Sequence, residues 1–124
     1  MGFEFSGDKG IYIQLAEWIE ENILKDVFPV QSQIPSAAEL AVTFKINHIT
    51  ALKGMNILAD AGILEKRRGM GMYVTVEAKN IILKEHKEKF GVEYIAPLLK
   101  EAQKLDISGS ELLEMIKKEL EDKS

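Results

Sequence analysis

The stretch Ser36–Val74, SAAELAVTFKINHITALKGMNILADAGILEKRRGMGMYV, decides the fold. Its first residues have the spacing of a capping box, in which the Ser36 hydroxyl accepts from the backbone N–H of Glu39 and the Glu39 side chain reaches back. Pro35 directly precedes this box and marks where the chain enters the helix. The short helix that follows is predicted to bury Leu40, Ala41 and Phe44.

The second helix of this stretch is predicted to begin after Asn47 and to run to about Ala61. Lys45-Ile46 forms the turn before it, and the Asn47 side chain is a good N-cap. Gly62 suits the left-handed conformation that ends many helices. Gly54 is predicted to permit close packing of a neighbouring helix. At about 100° per residue, the inner face holds Ala51, Gly54, Met55 and Leu58. The outer face holds Ile49, Lys53, Asn56 and Asp60.

Two strands and a basic loop complete the stretch. Ile63–Lys66 and Met72–Val76 are predicted to be antiparallel strands. The loop between them, Arg67–Gly71, is called the wing below, and its glycines permit positive φ and close backbone approach. Helix, tight turn, helix and hairpin is the order of a winged helix-turn-helix, whose second helix fits the DNA major groove. The predicted fold class is therefore mainly α with a small β-hairpin.

A longer helix is predicted before this stretch, from about Lys9 to Asp26, with Asp8 as its N-cap. Its apolar stripe comprises Tyr12, Leu15, Ala16, Ile19, Ile23 and Val27. Apolar residues also lie off the stripe, at Ile13, Trp18 and Leu24. They either contact a second element or are scattered surface residues, which are common. A loop follows, with a possible short strand near Ile34.

The chain changes character after Val76, so residues 1–76 are predicted to form the DNA-binding domain and residues 77–124 a helical tail. The tail is either one long helix or two joined near Gly91, and Pro97 should kink or interrupt it. Ser108–Glu111 is a second capping box before a last helix, whose apolar side holds Leu112, Leu113, Ile116 and Leu120. Helices of this size cannot build a core of their own. The N-terminal domain, a second copy or both must cover them, which predicts a two-fold homodimer on a DNA palindrome.

Composition excludes several classes of protein. The 124 residues contain no cysteine, so neither disulfides nor thiolate metal sites are possible, in keeping with a reducing cytoplasm. No apolar run approaches the ~20 residues that span a bilayer, and the first residues do not resemble a signal peptide. The two histidines, His48 and His86, lie far apart, which argues against a metal site. No catalytic or nucleotide-binding motif appears, so no enzyme and no cofactor is predicted.

The predicted DNA contacts are Ser36, Asn47, His48, Ile49, Thr50, Lys53, Arg67, Arg68, Gly69, Met70 and Gly71. They occupy the start of each helix of the motif and the wing. Although the formal net charge is −4, basic residues collect between Lys45 and Arg68, opposed there only by Asp60 and Glu65. Competing interpretations stay open: a capped surface turn for Asn47–Thr50, a solvated helix face for Lys53, and ordinary strand-end charges or a bare hairpin tip for the wing.

The sequence resembles the GntR family of bacterial transcription regulators. The resemblance lies in Ile11–Gln14, Ile34–Ser36 with Glu39–Ala41, Asn47–Thr50 and Glu65–Val74, and the short tail is similar to the YtrA-type branch. It implies DNA contacts from the Ser36 region, the start of the second helix and the wing tip. It also implies a homodimer and a repressor, often of a nearby transporter operon. Ala38, His48, Ile49 and Met70 depart from basic or polar residues that the family often has there.

Two functions follow as hypotheses. In the first, the chain is a dimeric transcription regulator on double-stranded DNA. In the second, it is a winged-helix protein-interaction module with weak or no specific DNA binding, a hypothesis that Ala38, Met70 and the acidic balance motivate. Control by a small-molecule effector is a further idea for which the sequence offers no pocket signature.

Overall fold

The computed structural model describes Phe5 and residues 9–123. The predicted class is confirmed: helices predominate, and one two-stranded antiparallel sheet accompanies them. In chain order the elements are α1 (Ile11–Leu24), α2 (Ala37–Phe44), α3 (His48–Asp60), β1 (Leu64–Arg67), β2 (Gly71–Val74), α4 (Ala78–Phe90), a π-helical turn (Gly91–Ile95), α5 (Ala96–Lys104) and α6 (Gly109–Asp122). The chain divides into two compact units, the first ending at Lys84 and the second beginning at Glu85.

This division lies further along the chain than the boundary predicted after Val76. The reason is that α4 begins in the core of the first unit, where Ala78 and Ile82 are fully buried. The assignment of DNA binding to one part and dimerisation to the other stays a prediction.

The core of the first unit joins α1, α3, the hairpin and the start of α4. Its main side chains are Leu15, Ile19, Ile23, Leu40, Ala51, Met55, Leu58, Ile63, Leu64, Met72, Val74 and Ile82. The predicted inner face of α3 is buried at each of its positions. Of the predicted α1 stripe, Leu15, Ala16, Ile19 and Ile23 are buried and Tyr12 is half-buried. Val27 is 59% exposed because it follows the helix.

The predicted bounds of α1 were too wide. Gly10, with extended backbone, stands at the N-cap, so the helix begins at Ile11 rather than Lys9. The proposed cap Asp8 lies outside the described residues. At the other end Asp26 has φ 62°, a left-handed conformation that cannot continue a helix. The helix therefore ends at Leu24.

Trp18 settles the question of the apolar residues off the α1 stripe. Its ring packs edge-on against Phe44 at a centroid distance of 4.9 Å and against Phe28 at 5.7 Å. Leu24 also packs on the core, whereas Ile13 is exposed. Trp18 thus fixes α1 to the end of α2 and to the loop that follows α1.

Gly54 allows the close contact between α1 and α3 that the sequence predicted. A Cβ at Gly54 would lie 2.8 Å from the backbone oxygen of Tyr12 and 3.4 Å from Leu15 Cδ2. The first of these atoms belongs to the backbone of α1, so it cannot rotate away. Glycine is required here for the distance between the helices rather than for its backbone conformation.

The capping box of α2 is confirmed in both directions. Glu39 N donates to Ser36 Oγ at 3.1 Å, and Ser36 N donates to Glu39 Oε1 at 3.0 Å. The bond from the Ser36 backbone, followed by the bond from its hydroxyl, lowers the pKa of the Glu39 carboxyl from the ordinary value of 4.5. The ionised carboxylate is therefore the form that the folded helix start favours.

A pH-dependent effect of Glu39→Gln follows from this lowered pKa. Because folding favours the ionised form, the cap stabilises the fold above pH 4.5 and the stabilisation is lost as the pH falls through the folded pKa. We expect Glu39→Gln to melt at a lower temperature than wild type near neutral pH, and the difference to shrink toward about pH 3. Circular dichroism melts across this range, with Glu114→Gln as the charge-matched control, would measure it. A difference that does not change with pH would contradict the argument.

Strand β1 lies one residue later than predicted, whereas β2 begins one residue earlier and ends two residues earlier than predicted. Leu64 pairs with Val74 and Arg67 with Gly71. Ile63 is not in the strand because its N–H donates to the Leu58 oxygen at 2.9 Å, which ties it to the end of α3. Gly71 has φ 93° and opens β2 directly opposite Arg67.

A third segment, Gln31–Ile34, pairs with the free edge of β2. Gln31 N donates to Val74 O at 2.8 Å, Val74 N donates to Ser32 O at 2.9 Å, and Ile34 N donates to Met72 O at 3.0 Å. This confirms the short strand expected near Ile34, although the bridge itself joins Gln33 to Tyr73. Strand β2 is therefore paired on both of its edges, with β1 on one and Gln31–Ile34 on the other.

The second unit contains the end of α4, the π-helical turn, α5 and α6. Ala96 N donates to Gly91 O, so one wide turn precedes Pro97, and the two helices join near Gly91 as one of the predicted alternatives had it. Leu105-Asp106-Ile107 forms a turn, with Asp106 at φ 56°. Ser108 Oγ accepts from Glu111 N at 3.1 Å, which is one of the two bonds of the predicted box.

Candidate nucleic-acid interface

The first turn of α3 is an exposed, firmly capped helix start. Asn47 Oδ1 accepts from the Ile49 N–H at 2.7 Å, so the Asn47 side chain caps the helix as predicted. His48 and Ile49 are exposed, Ile49 at 73%, and Thr50 is half-buried. The side chains of His48 and Ile49 therefore face solvent at a fixed helix start, as an approaching phosphate or base edge would require.

Lys53, one turn further along α3, is held in place by an aromatic ring. Its Nζ lies 4.1 Å from the centroid of Tyr12, an attractive cation–π geometry. The ring of Tyr12 in turn lies close to Gly10, where an added Cβ would meet the ring at 2.9 Å. Lys53 is still exposed. Its ammonium group is thus pre-positioned on the outer face of α3, which lowers the entropy cost of a phosphate contact.

The two arginines of the wing have different surroundings. The Arg67 guanidinium stacks 3.9 Å from the Tyr73 ring centroid and donates to Gln31 Oε1 at 3.2 Å, with Glu65 at 4.0 Å. Arg68 is exposed, and within the described part of the chain no hydrogen bond or ion pair engages it. Arg67 therefore contributes to the rigidity of the hairpin, whereas the charge of Arg68 is available to a ligand.

The wing tip is fixed by Gln33. Its Nε2 donates to the backbone oxygen of Met70, and its Oε1 accepts from the Tyr73 hydroxyl at 3.4 Å. Gly69 and Gly71 have φ values of 73° and 93°, and a Cβ at Gly71 would meet Gln33 Nε2 at 2.7 Å. Met70 itself is 57% exposed. The tip consequently presents one flexible apolar side chain on a fixed backbone.

Ser36 is exposed at the start of α2, and the segment that precedes it pairs with the hairpin. It follows Ile34, whose N–H pairs with β2. The wing and the start of α2 therefore form one continuous piece, and α3 packs against β1. Exposed basic residues accompany these segments at Lys45, His48, Lys53, Lys66 and Arg68.

The sequence did not predict a role in the site for four residues of this region: Tyr12, Gln31, Gln33 and Tyr73. Each supports a predicted contact residue rather than standing among the predicted contacts. Gln31 and Gln33 are two positions apart, next to the strand expected at Ile34. Alternate residues of a strand point to the same side, so this spacing could have indicated that both side chains face the wing. Nothing local in the sequence relates Tyr12 to Lys53.

A metal-binding cluster and a membrane-spanning helix are both absent from Phe5 and residues 9–123. No group of three His, Cys, Asp or Glu side chains there lies close enough together to hold a metal ion. In the same residues, no helix has both the length and the apolar character that a bilayer crossing demands.

Comparison with known proteins agrees with the geometry. Residues 11–74 match the model of the gntR family of bacterial regulatory proteins. The uncharacterized HTH-type transcriptional regulator YhcF of Bacillus subtilis is 30% identical over 117 residues, covering 94% of this chain and 95% of that protein. The HTH-type transcriptional repressor YtrA of the same organism is 31% identical over 107 residues, covering 86% and 82% respectively.

Solved structures show the same architecture. A crystal structure of a GntR-family transcriptional regulator from Bacteroides thetaiotaomicron superimposes with a TM-score of 0.77 at 28% identity, covering 92% of this chain and 99% of that one. The family comprises transcription regulators rather than enzymes. The resemblance drawn from the sequence is confirmed: this chain belongs to the gntR family of bacterial regulatory proteins, as a YtrA- and YhcF-like transcriptional regulator with a DNA-binding winged helix-turn-helix.

Proposed function

We propose that this chain is a homodimeric repressor that binds a palindromic operator in a sequence-specific way. The observation that carries the proposal is the exposed first turn of α3, where Asn47 holds the helix start and His48 and Ile49 project from it. In helix-turn-helix proteins the start of the second helix contacts base edges in the major groove. A rigid, solvent-facing helix start is what such contacts need.

The DNA contacts divide between bases and phosphates. His48, Ile49 and Thr50 face base edges, whereas Ser36 and Lys53 bind phosphates on either side of the major groove. The wing, with Arg68 and the Gly69–Gly71 tip, enters the adjacent minor groove, where narrow A·T-rich sequence attracts arginine. The support is the exposure of these residues and the bracing of their backbone.

The homodimer is supported by the apolar surface of the second unit. Of the residues described there, Ala102 and Leu112 are buried, whereas large apolar side chains remain exposed at Phe90, Val92, Tyr94, Ile95, Leu98, Leu99, Leu105, Leu113, Met115, Ile116 and Leu120. Large apolar side chains exposed in this number indicate a surface that another protein covers. A second copy is the partner proposed, because two recognition helices can then bind two half-sites one helical turn apart. The repressor role follows the name of the relative YtrA.

Selection from a random pool of duplex DNA tests the proposal. Purified protein should enrich an inverted repeat, and binding to that repeat should be at least about a thousand-fold tighter than to unrelated DNA at physiological salt. Enrichment of a single half-site would contradict the proposal that the operator is palindromic. A pool without an enriched sequence, with only weak binding that salt abolishes, would remove specific recognition altogether.

Arg68→Ala separates the free wing arginine from the stacked one. Removing a charge-assisted phosphate or minor-groove contact should weaken operator binding about ten-fold and reduce the salt slope by about one for each subunit. Fluorescence anisotropy titrations at several salt concentrations would measure both. Lys84→Ala removes the same charge outside the proposed interface and should leave affinity unchanged. Equal affinity of the Arg68 variant and wild type would exclude the wing from DNA contact.

Exposed apolar residues favour one alternative function. Val42 is 80% exposed on α2, and Ile49 and Met70 are exposed in α3 and the wing. A protein partner could cover these side chains, which would make the fold a winged-helix interaction module. The pool selection distinguishes the two functions, because an interaction module would enrich no DNA sequence.

A further inference from the structure

Ile49 lies at the exposed start of α3, where an apolar side chain can make neither an ionic contact nor a hydrogen bond to DNA. Isoleucine is among the residues most often buried, yet Ile49 is 73% exposed. Its N–H is held by Asn47 Oδ1 at 2.7 Å, so the backbone that presents it is fixed. A β-branched side chain in a helix also has one strongly preferred χ1. The methyl groups are therefore presented to solvent in a defined arrangement.

The neighbours of Ile49 define what a base edge would meet. Its side chain lies on one face of α3 with Leu52, Lys53, Asn56, Ile57 and Asp60. On this face Ile49 is the apolar residue nearest the helix start. Polar side chains follow one turn or more later, at Lys53 and Asn56. The Asn47 side-chain oxygen is engaged in the cap, so it is not free to accept a hydrogen bond from the same base edge.

We propose that Ile49 determines specificity by contacting the C5-methyl group of one thymine in each operator half-site. Thymine is the base that presents a methyl group in the major groove, and apolar side chains recognise it by contact. The inference rests on the proposed function and adds the chemical feature of the operator that α3 recognises. Burial of one methyl group corresponds to about a four-fold change in affinity.

Replacement of thymine by deoxyuridine tests this inference, because deoxyuridine lacks only the C5-methyl group. Each thymine of the sequence enriched from the random pool is replaced in turn, in both half-sites together. We expect one position to weaken wild-type binding roughly ten-fold or more, which is about four-fold for each of two methyl groups. With Ile49→Ala the same replacement should change affinity less than about two-fold, since alanine lacks the atoms beyond Cβ that would reach the thymine methyl group.

Val76→Ala is the matched control, because Val76 is also an exposed apolar residue, at 61%, and lies beyond the end of β2 away from the wing tip. It should retain the full discrimination against deoxyuridine. Wild-type protein that tolerates deoxyuridine at every position would overturn the inference while leaving the proposed function intact. So would an Ile49→Ala variant that still discriminates at the same thymine. A pool without any enriched sequence would remove the proposed function and this inference with it.

Discussion

Leu113→Asp combined with Leu120→Asp should separate the proposed dimer into monomers and weaken operator binding by about a hundred-fold or more. Both side chains are 68% exposed on α6, on the same face as Ile116. In a dimer they would be buried against the partner, where an unpaired carboxylate is strongly unfavourable. In the monomer they already face water, so the variant should keep its fold.

The large effect on DNA binding follows from the loss of linkage between two half-sites. When two recognition helices belong to one particle, binding of the first makes binding of the second effectively intramolecular, which multiplies affinity by about 10²–10⁴. A monomer retains the contacts of one helix and one wing but loses this gain. The substitutions lie in α6, in the second unit, whereas the proposed DNA contacts belong to the first.

Light scattering would measure the mass, and anisotropy titration the affinity, for the same samples. The wild type should have twice the 13.9 kDa mass of the chain and the double variant a single mass. Lys118→Asp adds an aspartate on the opposite side of α6 and should leave both quantities unchanged. A double variant that remains dimeric would place the dimer contact elsewhere in the chain.

Local patterns predicted the parts of the site whose bonds are close in sequence. The capping bonds of Ser36 with Glu39 and of Asn47 with Ile49 join residues two or three apart. Such bonds depend on side-chain type and backbone direction, which a short stretch determines. The apolar faces of α1 and α3 were predictable for the same reason, since helical periodicity places their members together.

The bracing of the site could not be predicted in this way. Gln33 reaches Met70 across 37 positions of the sequence, and Arg67 reaches Gln31 across 36. Whether such side chains meet depends on the register of the Gln31–Ile34 segment against β2, which tertiary packing sets. For the same reason, the sequence could not show that Arg67 and Arg68 have different surroundings. Adjacent strand residues point to opposite faces or leave the strand altogether, and here only Arg67 lies over Tyr73.

Gly54→Val should lower the stability of the fold by about 3 kcal/mol, the upper part of the range for overpacked sites. The added Cβ would stand 2.8 Å from the Tyr12 carbonyl oxygen, and the added methyl groups would also crowd Leu15. Neither the backbone of α1 nor a fully buried leucine can move aside without separating α1 from α3. Valine has a somewhat better helix propensity than glycine, but that gain is below about 1 kcal/mol.

Thermal melts at matched protein concentration would show the loss, because association also shifts the melting temperature. For a unit of this size the expected decrease is roughly 15 °C. Gly109→Val is the control: this glycine also lies in a helix, at the start of α6, and a Cβ there meets nothing within 4 Å, so the effect should stay within about 1 kcal/mol. Equal melting temperatures for the two variants would mean that α1 and α3 can separate freely. The approach of these helices would then not set the position of the recognition helix, and the glycine at position 54 would need another explanation.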